Sequence, residues 1–442
     1  MSQSPIFVQA EDVLHWMNET CAAKIQPGLE RMEWMLEKLN HPERRCKFIH
    51  IAGTNGKGST AAMISSVLRE AGYKTGLFIS PYVIRWNERI QVDGKPISDD
   101  SFVKWANYLY PFIQEMIDEG PGAPSPFEYW TLVALCYFAY EEAPWFIVWE
   151  TGLGGKWDAT NIVIPLVSVF TQIGLDHREF LGDTITDIAR EKAGIIKSGV
   201  PVVSGTICRD AAQVIKSVAE EKNCRLYEVN KDFSITLLEQ TADFQIFRFT
   251  NIYQNLPSLK IPLKGSHQLQ NAATAIMTLE VLRQNYATVL EEMHYERGLS
   301  QVVWPGRLEK VGENPFILLD GAHNPDGMKA LAKAIQELNT YDRCIAMIAM
   351  MRDKQIEEIL QPLIPLVDQF VITEVANVPR SMSAHELAEQ VKAIAPEKEV
   401  NVFASASEGL TFMKQHALDH DLLLITGSLY LVSEVRSLLT KE

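Results

Sequence analysis

Short apolar runs alternate with longer amphipathic stretches in the first half of the chain. The apolar runs have the length and the β-branched and aromatic content of buried strands, and they lie at residues 47–51, 146–149 and 167–171. The longer stretches have the periodicity of helices, and they lie at residues 61–72, 127–143 and 187–196. This βα alternation predicts a parallel sheet covered by helices.

Residues 225–263 interrupt the alternation. Three short strand patterns occur there without long helices between them, at residues 234–237, 244–249 and 259–263. Strands that follow one another after short connections pair antiparallel. We therefore expect a small antiparallel annex on the first domain.

Alternation resumes after Trp304-Pro305-Gly306. Helical patterns, such as the one at residues 384–395, separate further strand candidates at residues 316–319, 344–350, 369–373, 399–403 and 422–425. This order predicts a second α/β domain of the Rossmann-like kind. We place the boundary near residue 299, so the two expected domains cover residues 1–298 and 299–442.

The bulk composition is that of an ordinary globular enzyme. Of the 442 residues, 47% are hydrophobic and 22% are charged. No apolar run reaches the roughly 18 uncharged residues that a membrane span needs, so we expect none. The start of the chain meets Glu11 and Asp12 early and lacks the basic and apolar pattern of a signal peptide, which favours the cytoplasm.

Charge and cysteine content narrow the class of protein further. The formal net charge of −15 argues against a broad nucleic-acid surface, but it allows a locally basic cleft for a small anion. None of the six cysteines forms a C-x-x-C pair, so we expect neither a zinc site nor a redox dithiol. Reduced thiols fit the cytoplasm.

A glycine-rich segment lies between the first strand and the helix that follows it. Its N–H groups and the helix N-terminus can face a phosphate, Lys57 can reach the β- and γ-phosphates, and Ser59 or Thr60 can offer a hydroxyl to Mg²⁺. The spacing departs from the general G-x-x-x-x-G-K-[ST] pattern, and a generic glycine-rich turn is the alternative. The predicted ATP-binding residues of this segment are Gly53, Thr54, Asn55, Gly56, Lys57, Gly58, Ser59 and Thr60.

Residues 54–59 resemble the phosphate loop of folylpolyglutamate synthases and of the bifunctional dihydrofolate synthases. They resemble the Mur ligases of cell-wall synthesis less closely, because those enzymes usually have Thr directly after the lysine, where Gly58 stands here. Several more segments match the family in the same order along the chain. The resemblance implies a P-loop ATP-binding domain of the Mur ligase central type at residues 1–298 and a C-terminal ligase domain at residues 299–442.

A second family-like segment runs from Glu150 to Asn161 and resembles the pattern E-x-G-x-G-G-x-x-D-A-T-N. A carboxylate at a strand end beside a phosphate loop suits Mg²⁺. By resemblance, Glu150 is a Mg²⁺ ligand and Asp158 contacts the substrate. The alternative for Glu150 is a solvated acid at a strand end. The segment departs from the family at Thr151 and at the bulky Trp157.

The resemblance implies further metal and substrate residues. Ser59, Ser80 and His177 complete two Mg²⁺ sites with Glu150. Lys192 is the lysine that becomes carbamylated in this superfamily, which makes chemical sense only where metals supply compensating charge. Arg85 is a cation of the substrate cleft. The alternatives are a structural His177, an unmodified, salt-bridged Lys192 and a surface Arg85.

The C-terminal part of the chain carries family-like segments at residues 267–273, 304–309, 319–325 and 426–430. The resemblance implies that Gln268 and Asn271 bind nucleotide, with helix capping and packing as the alternative. It also implies that Arg307 contacts phosphate oxygens, for which a planar guanidinium is well suited. For Asp320 the resemblance implies a contact with the ribose or with Arg307. For His323 and Ser428 it implies binding of the incoming glutamate, and a structural role is the alternative for Ser428.

Together, the resemblance implies an ATP-dependent ligase that adds L-glutamate to a (tetrahydro)folate through an acyl phosphate, with Lys57, Lys192 and His323 in catalysis. The expected cofactors are ATP and two Mg²⁺, and the expected partners are a folate-type substrate and L-glutamate. We expect a monomer without nucleic-acid or membrane partners.

Three other interpretations stay open. Dihydropteroate is a possible second substrate. A Mur-type ligase acting on a peptidoglycan precursor is the alternative enzyme, against which we find no extra N-terminal domain for a UDP-sugar. A P-loop ATP-binding regulatory module is the alternative of another class.

Overall fold

The structure is a computed structural model that describes residues 6–22, 27–82, 84–241, 243–338, 341–376, 378 and 380–440. It divides into two compact units. The first comprises Met1–Thr236, Phe247–Lys260 and Gln270–Val302, and the second comprises Leu237–Ile246, Ile261–Leu269 and Val303–Glu442. The functional boundary near residue 299 stays a prediction.

An eight-stranded sheet forms the centre of the first unit. Its order is β4-β3-β2-β5-β1-β6-β7-β8, and the strands are β1 (Phe48–Ala52), β2 (Thr75–Phe78), β3 (Ile90–Val92), β4 (Lys95–Pro96), β5 (Phe146–Glu150), β6 (Val167–Phe170), β7 (Val202–Ser204) and β8 (Leu226–Glu228). Six of these strands are parallel, whereas β3 and β4 pair antiparallel at one edge. The parallel sheet expected from the alternation is thus confirmed.

Helices cover this sheet and contribute to its core. They are α1 (Ala10–Thr20), α2 (Glu30–Lys38), α3 (Lys57–Glu70), α4 (Asp99–Asp118), α5 (Pro126–Tyr137), α6 (Arg178–Leu181), α7 (Ile185–Ala193), α8 (Arg209–Glu221), α9 (Ser266–Tyr286) and α10 (Glu292–Ser300). The long helix expected at 127–143 is α5 followed by a π-helical turn at Phe138–Glu142. Short 3₁₀ turns lie at Pro42–Arg45, Trp86–Arg89 and Ala159–Ile162.

The helix after the phosphate loop packs closely against α10. Residues 59–68 of α3 are all buried, and Ser66 Oγ donates to Gly298 O of α10 at 2.7 Å. A Cβ at Gly298 would lie 2.6 Å from Val67 Cα, so α10 approaches α3 at the distance of bare backbone. This packing fixes the direction of α3 and, through its first turn, the phosphate loop.

Residues 233–261, within the segment that interrupts the alternation of strands and helices, form a three-stranded sheet of order β11-β10-β9. Its strands are β9 (Phe233–Gln240), β10 (Gln245–Asn251) and β11 (Asn255–Ile261). Thr241 N bonds Phe244 O and Asn251 N bonds Gln254 O, so each connection is a tight turn. Such turns join antiparallel strands, as the sequence indicated.

The second unit is built around a six-stranded mixed sheet of order β12-β13-β17-β14-β15-β16. The strands are β12 (Glu309–Glu313), β13 (Phe316–Leu319), β14 (Cys344–Ile348), β15 (Gln369–Ile372), β16 (Glu399–Val402) and β17 (Leu422–Thr426), and the helices are α11 (Pro325–Leu338), α12 (Ile356–Leu360), α13 (Ala384–Ile394), α14 (Ala406–His416) and α15 (Leu429–Leu439). Only β12 is antiparallel to its neighbour. Within the described residues, no helix is long and apolar enough to cross a membrane.

Candidate active site

The phosphate loop leaves β1 and docks on the segment that follows β6. Thr54 N and Asn55 N both donate to Gln172 O, and the Thr54 hydroxyl exchanges hydrogen bonds with both backbone groups of Gly174. Gly56 has a φ of +89°, and a Cβ there would lie 2.2 Å from Asn271 Oδ1. Glycine is therefore required at position 56, and Asn271 lies directly against the loop.

Lys57 and Glu150 are brought together at the carboxyl ends of β1 and β5. Lys57 Nζ lies 3.4 Å from Thr54 O and 3.8 Å from Glu150 Oε1. The Glu150 side chain is 5% exposed, and its Oε2 accepts a hydrogen bond from Ser80 N at 3.3 Å. An ammonium and a carboxylate thus share a largely buried space beside the glycine-rich turn, which is where a nucleotide phosphate and a cation could be held.

Lys192 lies on α7 and points at the same loop. It is buried, and its Nζ donates to Gly53 O at 2.9 Å. Burial and, to a smaller extent, the nearby charge of Lys57 lower the pKa of Lys192, Asp176 and Asp158 oppose them, and the resulting pKa is about 7. The amine is consequently neutral in a large fraction of molecules near pH 7.

Asp176 is a residue of this cluster that was not selected from the sequence. It is close enough to Lys192 to raise its pKa, and its Oδ1 accepts the His177 backbone N–H at 2.9 Å. Its position shortly after the end of β6 was the available signal, since the ends of adjacent parallel strands share one edge of the sheet.

The structure brings only some of the predicted Mg²⁺ ligands close to one another. His177 has a left-handed backbone at φ +50°, and its Nε2 lies 4.0 Å from Asp176 Oδ1. Among the described residues, no three His, Cys, Asp or Glu side chains form a group that could hold a metal ion by themselves. Mg²⁺ usually takes one or two carboxylates and completes its shell with water and phosphate oxygens. The Glu150 carboxylate, which accepts the Ser80 N–H, fits that kind of site, and metal contacts by the Ser59 and Ser80 hydroxyls stay predictions.

The loop after β5 is organised from within. Asp158 is buried, and its two oxygens accept hydrogen bonds from Gly152 N, Leu153 N and both the backbone and hydroxyl of Thr160. Arg85 lies exposed at the start of the 3₁₀ turn Trp86–Arg89. Substrate contacts by Asp158 and Arg85 stay predictions.

In the second unit, residues of two family-like segments meet at the carboxyl end of β13. Asp320 is buried and accepts hydrogen bonds from Leu308 N and Ala322 N, both at 2.9 Å. Burial raises the pKa of Asp320, and the charge of Arg307 opposes this. The His323 ring bonds Gly321 O at 2.8 Å. Arg307 therefore acts on the buried Asp320 carboxyl, and the His323 ring is held against the backbone of the same segment.

Gln268 and Ser428 are the other predicted site residues of this unit. Gln268 is buried near the start of α9. Ser428 follows β17, and its hydroxyl caps α15 by accepting Tyr430 N at 3.2 Å. The capping bond gives Ser428 a structural role, and its predicted glutamate contact stays a prediction.

Comparison with known proteins adds to this geometry. The Mur ligase middle domain matches residues 114–279, and the Mur ligase glutamate ligase domain matches residues 306–429. A dihydrofolate synthase/folylpolyglutamate synthase of Bacillus subtilis is 35% identical over 98% of this chain and 99% of its own. A crystal structure of folylpolyglutamate synthase from Thermotoga maritima has a TM-score of 0.84 at 34% identity, covering 98% of this chain and 96% of its own. A Mycobacterium tuberculosis folylpolyglutamate synthase complexed with ADP has a TM-score of 0.91 at 28% identity, covering 98% of each chain.

The low pKa of Lys192 predicts a pH dependence of stability. Between pH 7 and 10.5 the unfolded chain binds a proton at this lysine that the folded chain releases, so this group makes stability rise with pH in that window, by up to about 1.4 kcal/mol per pH unit. We expect Lys192→Met to remove this contribution. Urea unfolding at several pH values, without nucleotide, metal or carbonate, measures it. The exposed Lys392→Met on α13 is the control, and a Lys192→Met slope equal to that of wild type would contradict the assignment.

Proposed function

The chain belongs to the folylpolyglutamate synthase family of the Mur ligase superfamily, and we propose on this basis that it joins a folate carboxylate to the amine of L-glutamate at the expense of ATP. The observation that carries the proposal is the match of the whole chain to folylpolyglutamate synthases. The buried Lys57–Glu150 pair beside the phosphate loop supports it chemically.

The reaction follows from the reactivity of the groups involved. A carboxylate is a poor acyl donor, so its oxygen first takes the γ-phosphoryl group of ATP, which gives an acyl phosphate and ADP. The glutamate amine then attacks the acyl carbon, an amide forms, and inorganic phosphate leaves with the proton released from the amine. Lys57 stabilises negative charge on the β- and γ-phosphates from its position beside Thr54 O.

We assign Glu150, Ser59, Ser80 and His177 to two Mg²⁺ sites. Mg²⁺ would neutralise phosphate charge and help to orient the transferred group. Support comes from the placement of the Glu150 carboxylate, which Ser80 N holds and which faces Lys57. The Glu150 carboxylate, 3.8 Å from Lys57 Nζ, is thus placed beside the phosphate loop as an oxygen ligand.

We also propose that Lys192 carries a carbamate in the active enzyme. The neutral amine attacks CO₂, an N–C bond forms, and a proton is released. Burial favours this step because it depresses the pKa of Lys192 to about 7. The product is an anion next to Lys57, whose charge would stabilise it, whereas the ammonium is repelled by Lys57.

Further assignments follow the family motifs. We place nucleotide contacts at the phosphate loop and at Gln268 and Asn271, of which Asn271 already lies against Gly56. Arg307 would contact phosphate oxygens, with Asp320 beside it as the compensating carboxylate. His323 and Ser428 would bind glutamate. We propose that the protein is a monomer and that it works in the cytoplasm. The six free cysteines fit that reducing compartment.

Dihydropteroate is a second candidate substrate. Relatives from Bacillus subtilis and Escherichia coli carry the double name dihydrofolate synthase/folylpolyglutamate synthase, at 35% and 31% identity. Glutamate addition to dihydropteroate uses the same carboxylate chemistry, so one site could serve both reactions.

ADP formation that requires both a folate and L-glutamate is the expected result for the purified protein, and it should be abolished in the Lys57→Ala variant. Loss of the ammonium should lower kcat by at least about 10²-fold, because charge on the phosphates is no longer neutralised. Parallel assays with tetrahydrofolate, dihydropteroate and a UDP-linked muramoyl substrate identify the acceptor. Lys392→Ala should match wild type. ADP formation independent of folate, or near-normal turnover by Lys57→Ala, would sink the assignment.

His177→Ala should raise the Mg²⁺ concentration needed for half-maximal activity by at least about tenfold, if the ring is a metal ligand. A Mg²⁺ titration of the reaction rate measures this. The exposed His385→Ala on α13 serves as the control. A titration curve of His177→Ala that overlays wild type would assign the ring a structural role.

Lys192→Ala should lose activity, and short carboxylates such as acetate should restore part of it by occupying the place of the carbamate. Lys192→Arg should stay inactive, because a guanidinium cannot form the carbamate. Mass spectrometry of intact protein, measured with and without ¹³C-bicarbonate under native conditions, gives a direct readout. An active Lys192→Arg variant would argue against the modification.

A further inference from the structure

A histidine lies in the middle of β1, fully buried between two neighbouring strands. His50 pairs in register with Trp149 of β5 and with Ser168 of β6. Its side chain shares one face of β1 with those of Phe48 and Ala52, because strand side chains alternate. A polar ring in such a place needs a hydrogen-bond partner, since an unpaired buried donor costs free energy.

The partner of His50 belongs to the loop after β5. His50 Nε2 lies 2.9 Å from Thr160 Oγ1. The Thr160 hydroxyl donates to Asp158 Oδ1. Asp158 Oδ2 in turn accepts Gly152 N at 3.0 Å and Leu153 N at 2.7 Å. A continuous chain of hydrogen bonds therefore runs from the central strand to the backbone directly after Glu150.

The direction of these bonds fixes the tautomer of the ring. Asp158 accepts four hydrogen bonds, so it acts as a carboxylate and cannot donate to Thr160. The single hydroxyl proton of Thr160 points to Asp158, and the hydroxyl oxygen must accept from His50. The proton of the neutral ring is thus on Nε2. The buried Nδ1, which has no hydrogen-bond partner among the described residues, carries none.

The ring keeps this state over the working pH range. Burial lowers the pKa of His50 to about 3, and the charge of Lys197 contributes in the same direction. The ring is therefore neutral near pH 7, where it can neither shuttle a proton nor pair with a charge. Its chemical contribution is one N–H donor in a fixed direction.

The loop that receives this donor also touches Lys192. A Cβ at Gly155 would lie 2.7 Å from Lys192 O, and Lys156 N donates to Glu191 O at 2.7 Å. Asn161 Nδ2 donates to Gly194 O at 3.2 Å. The loop therefore connects the carboxylate of Glu150 to the helix of Lys192, and a change in its shape would move both groups.

We infer that His50 is a positioning residue, which acts through Thr160 and Asp158 to hold the loop 150–161 in the shape that places Glu150 and supports Lys192. The inference rests on the proposed function for its kinetic consequence, but the hydrogen-bond chain it names is a property of the free protein. The His50 ring bonds Thr160, which is not among the groups proposed to react. Its effect is transmitted through the side chains of the loop.

Four variants separate positioning from simple packing. His50→Leu and Thr160→Val keep the volume and remove the N–H or the hydroxyl, whereas His50→Gln and Thr160→Ser retain a donor or a hydroxyl. We expect His50→Leu and Thr160→Val each to lower kcat/KM by about 10- to 100-fold, and Thr160→Ser to stay near wild type. The double variant should be no worse than the poorer single variant, because both substitutions break the same chain.

Ser168→Ala is the matched control. Ser168 is as buried as His50, faces it across the strands, and donates to Ile195 O at 3.1 Å, outside the chain of bonds to Asp158. It should lose thermal stability without the change in kcat/KM. If Ser168→Ala lowers kcat/KM as much as His50→Leu at equal loss of Tm, the effect is one of packing and the inference is wrong.

Two measurements do not depend on activity. Amide hydrogen exchange of peptides covering residues 150–161 should accelerate in His50→Leu and Thr160→Val, but not in Ser168→Ala. Nitrogen NMR of ¹⁵N-histidine-labelled wild type, with His50→Gln for assignment, should show the Nε2–H tautomer without titration between pH 6 and 9. The opposite tautomer, or unchanged exchange in both variants, would overturn the inference. Absence of folate-dependent ADP formation by wild type would instead refute the proposed function and leave these two readouts intact.

Discussion

Three adjacent parallel strands end at one edge of the first sheet, and ionisable side chains that follow them are buried together there. The strands β5, β1 and β6 lie side by side, with Ile51 opposite Glu150 and Ala52 opposite Phe170. Glu150 and Lys192 are almost completely buried, and Lys57 is largely so. A buried charge costs several kcal/mol unless another charge or hydrogen bonds compensate it. The position of each of these groups is therefore set by the other two and by the carbonyls around them.

The loops at this edge are shaped by the same requirement. The phosphate loop is tied to Gln172 and Gly174 after β6, so hydrogen bonds within the protein hold its backbone. The loop after β5 is ordered by Asp158, whose oxygens collect the N–H groups of Gly152 and Leu153. Preorganised backbone groups cost no rearrangement when a charged ligand binds, which is the usual source of electrostatic catalysis.

In the second unit, too, a buried carboxylate at the carboxyl end of a strand is compensated by hydrogen bonds. Asp320 follows β13, and Ser428 follows the neighbouring strand β17, so both lie at the carboxyl edge of the mixed sheet. The two oxygens of Asp320 accept hydrogen bonds from the backbone N–H groups of Leu308 and Ala322. These bonds hold the segment of Arg307 next to that of His323. Because the Asp320 carboxylate is occupied by these backbone bonds, the Arg307 guanidinium is the group able to bind an anion.

The sequence by itself determined the alternation of strands and helices, the five main strands of the second sheet and the glycine-rich turn, because period, length and turn chemistry are local properties. It also identified Lys57, Glu150 and Lys192 through motifs read one segment at a time. It missed the strands β2, β3, β4, β7 and β8 of the first sheet, which have at most four residues each and are too short to show a period, and it passed over Asp176. Only the tertiary structure decided that Lys192 bonds Gly53 O, that Asn271 packs against Gly56, and that His50 reaches Thr160. These contacts join residues up to 215 positions apart (Gly56 to Asn271), and they depend on strand order and on which charges are buried together. Neither the strand order nor the set of charges buried together is encoded in any local pattern of the sequence.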